Sequence, residues 1–186
     1  MNYLKRFWAF LKGDTWQSWL VSLILIVIFI RLIFFPALAF ITTTPLPLVV
    51  VESCSMYHAS GFDSWWTSTG EWYEANDIEK SEFEDFPFKN GLNKGDIIFV
   101  WGRSTYELGD VIIFKADTTN PIIHRVVVRS PIGTKGDNNL NQLGFERMIT
   151  KDRILGKAVA RIPYLGWVKL IFFELSREKD QRGLCN

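Results

Sequence analysis

The longest apolar stretch runs from Trp19 to Ile41, WLVSLILIVIFIRLIFFPALAFI, 23 residues carrying one charge, Arg31. At about 1.5 Å of rise per residue this length crosses a hydrocarbon layer of about 30 Å with some tilt. A cleavable secretory leader would be shorter and end in small residues, whereas this run continues into TTTPLPLVVV; an uncleaved anchor is expected. Lys5, Arg6 and Lys12 precede the run against Asp14 alone, which puts the N-terminus in the cytoplasm and everything after about Thr42 on the far face. Arg31 is read as a side chain that snorkels to an interface.

Beyond Thr44 the pattern changes from continuous to short and β-branched. PLPLVVVE, KGDIIFVW, GDVIIFK, PIIHRVVVR and RILGKAVARI read as strands bounded by Gly, Pro and Asp. Short strands with turn signals and few helical periods predict a mainly β domain, an antiparallel sandwich or barrel-like sheet. Two segments stand apart. Residues 61–90 hold eight acidic residues against Lys80 and Lys89, mixed with Phe62, Trp65, Trp66, Trp72, Tyr73, Phe83, Phe86 and Phe88. This is an insertion, partly helical, whose aromatics are expected to pack on the β domain, because its negative charge opposes anionic lipid. YLGWVKLIFFEL (Tyr164 to Leu175) is too short to span and predicts a helix on the domain or in the interface. The expected organisation is a cytoplasmic segment 1–18, an anchor 19–41, an extracytoplasmic β domain 42–163 and an apolar helix with tail 164–186. That makes a single-pass protein of the cell membrane.

Composition narrows the function. A net charge of +1 gives no reason to expect nucleic acid as a partner. Two cysteines, Cys54 and Cys185, lie far apart in sequence and do not amount to a disulfide framework or a zinc site. Cys54 is expected to be a quiet buried thiol, and no metal or organic cofactor is called for.

The search for acid–base chemistry is short, because the chain holds two histidines, His58 and His124. Ser53-Cys54-Ser55-Met56 follows directly on the strand LVVVE, and a serine at a strand end becomes a nucleophile only if a base reaches it. Four segments in this order, VVVESCSM, then NKGDIIFV with ELGDVIIF, then PIIHRVV, then TKGDNN, resemble the type I signal peptidases, and they follow an N-terminal anchor as in that family. The histidine in PIIHRVV marks the archaeal and endoplasmic-reticulum type, since bacterial relatives carry a lysine there. The resemblance implies a serine endopeptidase that removes signal peptides. Ser55 would be its nucleophile, His124 its general base and Asp137 the acidic partner. Ser53 would join the backbone N–H of Ser55 in the oxyanion hole.

Elementary chemistry fits these roles. A serine hydroxyl needs a base, a neutral imidazole can serve near pH 7, and a carboxylate can hold its tautomer. The sequence also departs from the family. Cys54 stands where Gly is common, and would be strained if that position needed positive φ. Tyr57-His58-Ala59 replaces a Pro-containing stretch and makes His58 an alternative base. The second Asp common after GDNN is missing from NLNQLGFE, where Asn141 or Gln142 are the expected uncharged substitutes. An extended peptide is expected to add as a strand beside LVVVE, with Val50, Val51, Ile112 and Ile123 shaping pockets for small residues such as Ala-x-Ala. Signal peptides, membrane lipid and accessory membrane subunits are the expected partners. A narrow-client peptidase and a catalytically inactive scaffold of the same fold are the alternatives.

Overall fold

The computed structural model describes residues 3–185 and divides the chain into two compact units between residues 41 and 42. The first unit is helical: α1 (Tyr3–Leu11), α2 (Trp16–Phe29) and all of α3 (Phe35–Thr42) but its last residue. Residues Ile30–Phe34 between α2 and α3 form a π-helical segment, so that the helix runs unbroken from Trp16 to Thr42 over 27 residues. Pro36 accounts for the widening, because it brings no N–H to bond back one turn and its ring crowds the preceding carbonyls. The Phe35 N–H accordingly reaches five residues back to the Ile30 carbonyl. This one helix is long and apolar enough to cross a membrane.

The second unit is built on one antiparallel sheet of six strands in the order β1-β2-β6-β3-β4-β5. These are β1 (Leu48–Val50), β2 (Ile97–Trp101), β3 (Val111–Phe114), β4 (Ile122–Arg129), β5 (Ile132–Lys135) and β6 (Ile154–Ile162). The mainly β architecture is the expected one, with β5 added. IGTK has no apolar alternation and becomes a strand through its pairing with β4, Arg125 opposite Lys135 and Val126 opposite Thr134.

β3 lies inside the sheet and is buried on both faces, which is why VIIF reads as a continuous apolar run. Val111 and Ile113 face one cluster with Val51, Met56, Leu92, Ile98, Val100 and Ala158, while Ile112 and Phe114 face another with Val126 and Ile149. Burying each such side chain is worth about 1.5–3 kcal/mol, so β3 is firmly held.

Residues 61–90 fold as α4 (Phe62–Glu74) and α5 (Lys80–Phe83) with turns around them. Trp65, Trp66, Tyr73, Ile78 and Phe83 form a buried aromatic cluster with Val127 of β4, so these rings pack on the sheet. The C-terminal segment carries the expected short helix. It is α6 (Trp167–Leu170), followed by 3-10 turns at Glu174–Ser176 and Lys179–Gln181; Leu170 is buried, while Val168, Ile171, Phe172 and Leu175 stay exposed.

Candidate active site

β1 ends at Val50, and the loop after it carries Ser53, Cys54 and Ser55. A 3.1 Å hydrogen bond joins the hydroxyls of Ser53 and Ser55. Ser55 Oγ also lies 2.9 Å from Nε2 of His124, which β4 presents opposite Ile112. The other ring nitrogen, Nδ1, bonds a carboxylate, and that carboxylate belongs to Glu146. Glu146 is fully buried: one oxygen also accepts from the Thr134 hydroxyl at 3.2 Å and the other from the Leu143 N–H at 2.8 Å. The serine, the imidazole and a buried acid therefore form one continuous relay.

Asp137, expected as the acidic partner, makes no hydrogen bond to His124. Its carboxylate accepts from Arg125 Nε and Nη2 (2.9 and 2.7 Å), from His58 Nε2 (2.9 Å) and from the Tyr73 hydroxyl (3.0 Å). The reason lies in the pleat of β4, where successive side chains point to opposite faces. His124 looks toward Thr134 and Glu146, and Arg125 looks the other way, toward the aromatic cluster. Asp137 follows Arg125. Burial by itself pushes the Asp137 pKa up, but the Arg125 charge, with hydrogen bonds from His58 and Arg125, outweighs it and holds the carboxyl well below the usual range.

The uncharged substitutes do not fill the acidic role. Gln142 Nε2 donates to the Thr134 carbonyl at 2.9 Å, and Asn141 is exposed. Glu146, at the end of NLNQLGFE, was the residue that reasoning from the sequence missed. Its signal was an acid nine positions after Asp137. His58 is likewise removed from the role of base. It gives Nε2 to Asp137, its ring stacks on Trp65 at 3.7 Å between centroids, and Nδ1 has no partner among the described residues.

The segment Gly136 to Asn139 does hold the Ser55 loop, through the backbone and side chain of Asn138. Asn138 N–H donates to the Ser55 carbonyl at 2.7 Å and its side chain to the Cys54 carbonyl at 3.1 Å. From the other side Cys54 forms a disulfide with Cys185, which corrects the expected quiet thiol and ties the C-terminal tail to the serine loop. The pairing was hidden by a separation of 131 residues. Glu52 reinforces the tie through Lys169 (2.9 Å) and Arg177 (2.8 Å). Cys54 does not have positive φ, so its replacement of glycine costs no backbone strain.

Among the proposed pocket residues, Ile112 and Val51 are closed into the core, at 0% and 3% exposure, whereas Val50 and Ile123 keep half-buried surfaces. Lys135 is also buried. Its ammonium donates to the Gly136 and Asp137 carbonyls (3.2 and 3.4 Å) and sits over Tyr73 at 4.7 Å and Trp72 at 5.1 Å. Burial is the main cause that brings its pKa down to about 8. The folded chain thus releases this proton before the unfolded chain does. The cost of burying the cation is fully present below pH 8 and fades as pH rises from about 8 toward the ordinary lysine value of about 10.4. Melting curves at pH 7 and 9.5 are expected to show a gain in stability from this group, and the gain disappears in Lys135→Met.

No family model matches the chain. Single relatives do. The signal peptidase complex catalytic subunit SEC11 of Colletotrichum graminicola is 34% identical over 100 residues, which are 45% of this chain and 57% of the relative. That of Fusarium vanettenii is 34% identical over 99 residues, with the same shares of the two chains. That of Ogataea parapolymorpha is 30% identical over 107 residues, 45% of this chain and 61% of the relative. The chain is similar to SEC11 signal peptidase subunits. It spans a little over half the length of the curated relatives it matches. The similarity agrees with the resemblance carried by the four motifs.

Proposed function

We propose that this chain is a membrane-anchored serine endopeptidase that removes N-terminal signal peptides after small residues. The observation that carries this reading is the relay Ser55–His124–Glu146, with the serine 2.9 Å from the imidazole and the acid buried behind it. His124 takes the Ser55 proton as the hydroxyl attacks the scissile carbonyl. The same proton then goes to the leaving amine, which leaves an acyl-enzyme on Ser55. Water, deprotonated by His124, hydrolyses that ester. The Ser53 hydroxyl and the Ser55 N–H are the donors for the oxyanion, and Glu146 orients and stabilises the imidazolium. Val50 and Ile123 are the candidates to meet a small side chain of the substrate.

Further observations support the reading. The Trp16–Thr42 helix has the length of an anchor, and Lys5, Arg6 and Lys12 favour a cytoplasmic N-terminus. The Cys54–Cys185 disulfide suits an oxidising compartment on the opposite side. The SEC11 relatives are named as subunits of a complex, so accessory membrane subunits are proposed as partners here too. The inactive-scaffold reading drew on a missing acid, and Glu146 supplies one.

The test is cleavage of a model preprotein by the detergent-solubilised chain, alone and with its co-purifying partners. Wild type is expected to cut after an Ala-x-Ala site and Ser55→Ala to be inert while still binding the preprotein. Cleavage that survives Ser55→Ala overturns the reading.

A second variant probes the geometry. A Cβ on Gly136 would lie 2.8 Å from His124 Nε2 and 2.6 Å from Asn139 Nδ2. Gly136→Ala therefore displaces the imidazole edge that faces Ser55. The expected loss in kcat is about 100-fold, the cost typical of a misplacement near 1 Å, alongside a stability cost of about 1–3 kcal/mol from the overpacked site.

A further inference from the structure

α1 has an orderly surface that the proposed chemistry does not use. On a helix of 3.6 residues per turn, Tyr3, Leu4, Phe7, Trp8, Phe10 and Leu11 fall on one side and Lys5, Arg6 and Ala9 on the other, while Lys12, just beyond the helix, carries its ammonium at the border, 5.7 Å from the centre of the Trp8 ring. No side chain of α1 is buried, and Tyr3, Leu4 and Trp8 are 90%, 80% and 62% exposed. The helix carries no acid; Asp14 lies beyond its end.

The connection to α2 is built rather than loose. The Ser18 hydroxyl, 1% exposed, donates to the Leu11 carbonyl at 3.0 Å and so caps the last turn of α1 with the first turn of α2. Thr15 is the N-cap of α2 and accepts from the Ser18 N–H at 3.3 Å. The Gly13 N–H closes the corner on the Phe10 carbonyl at 3.0 Å. The apolar face of α1 is thereby held at a fixed corner immediately before the helix that is long enough to span a bilayer.

We propose that α1 lies flat in the headgroup layer on the N-terminal side of the membrane, with its apolar face against the acyl chains and Lys5, Arg6 and Lys12 on anionic lipid phosphates. The inference rests on the anchor reading above. Lipid is favoured as the occupant because the face lies at a fixed corner four residues before the span and because its cations lack acidic counterparts on the helix. Basic amphipathic helices of this kind bind at such an interface. The effect would be to set the depth and tilt at which the anchor enters the bilayer.

The test uses the full chain in nanodiscs, spin-labelled at single introduced cysteines. Both native cysteines are in the disulfide, so neither competes for the label. Labels are placed at Phe7→Cys, Ala9→Cys and Ile26→Cys, and each is scored by its accessibility to oxygen and to a water-soluble nickel chelate. In discs of phosphatidylcholine with phosphatidylglycerol, Phe7→Cys is expected to favour oxygen several-fold over Ala9→Cys. In phosphatidylcholine alone, or with Lys5, Arg6 and Lys12 all changed to Gln, that contrast shrinks. Equal accessibility at Phe7→Cys and Ala9→Cys, or a contrast indifferent to headgroup charge, overturns the proposal. A water-accessible Ile26→Cys overturns the anchor reading itself, and this proposal with it.

Discussion

Replacing His124 with alanine is expected to lower kcat on a preprotein by about a million-fold, the scale seen when a serine protease loses its base. Glu146→Gln should cost about 10⁴-fold, because an amide that keeps the shape leaves the imidazole in the wrong tautomer and without a counter-charge. The geometry makes the second expectation specific. Glu146 is buried, bonds Nδ1 of His124, and is itself held by Thr134 and the Leu143 N–H, so glutamine can occupy the site without unfolding it. His58→Ala provides the contrast, since His58 faces Asp137 and Trp65 and should affect stability far more than kcat. Single-turnover cleavage with each purified variant, alongside its melting curve, checks all three. Near-wild-type turnover by Glu146→Gln would remove Glu146 from the relay.

Asp137→Ala is expected to act on stability instead. Asp137 and Arg125 are fully buried, and the guanidinium also reaches the carbonyls of Pro87 (2.7 Å), Gly109 (2.8 Å) and Phe88 (3.0 Å). The pair thereby ties the 61–90 insertion to β4. Removing the carboxylate leaves a buried cation uncompensated, at a cost of about 3–5 kcal/mol. For a unit of this size that corresponds to a fall of roughly 10–15 °C in melting temperature. The double variant Arg125→Met with Asp137→Leu should recover part of the loss, because it leaves no charge stranded.

The pH dependence follows from the lowered pKa of Asp137. Its stabilisation is fully present above the ordinary aspartate value of about 3.9, and is lost as pH falls from there through the depressed folded value. Asp137→Ala should lack this share of the acid-induced loss. Circular dichroism melts between pH 3 and 7 would show it, and an unchanged melting temperature at pH 7 would mean that the network does not hold the insertion.

Local pattern alone determined a good deal of this protein. A 23-residue apolar run announces its helix by length, and β-branched runs closed by Gly, Pro and Asp announce β1, β2, β3, β4 and β6. With only two histidines, the serine motif and PIIHRVV put Ser55 and His124 forward before any geometry, and the structure brings the two within hydrogen-bond distance. Tertiary structure decided the rest, because each remaining feature depends on residues distant in sequence meeting at one place. β5 exists through its ladder with β4. Cys54 finds Cys185 across 131 residues of chain. The choice between two carboxylates turned on the pleat of β4. Sequence spacing could not tell which of Asp137 and Glu146 shares a face with His124. The sheet sends adjacent side chains to opposite sides, so Arg125 takes Asp137 into the aromatic core and His124 is left to Glu146.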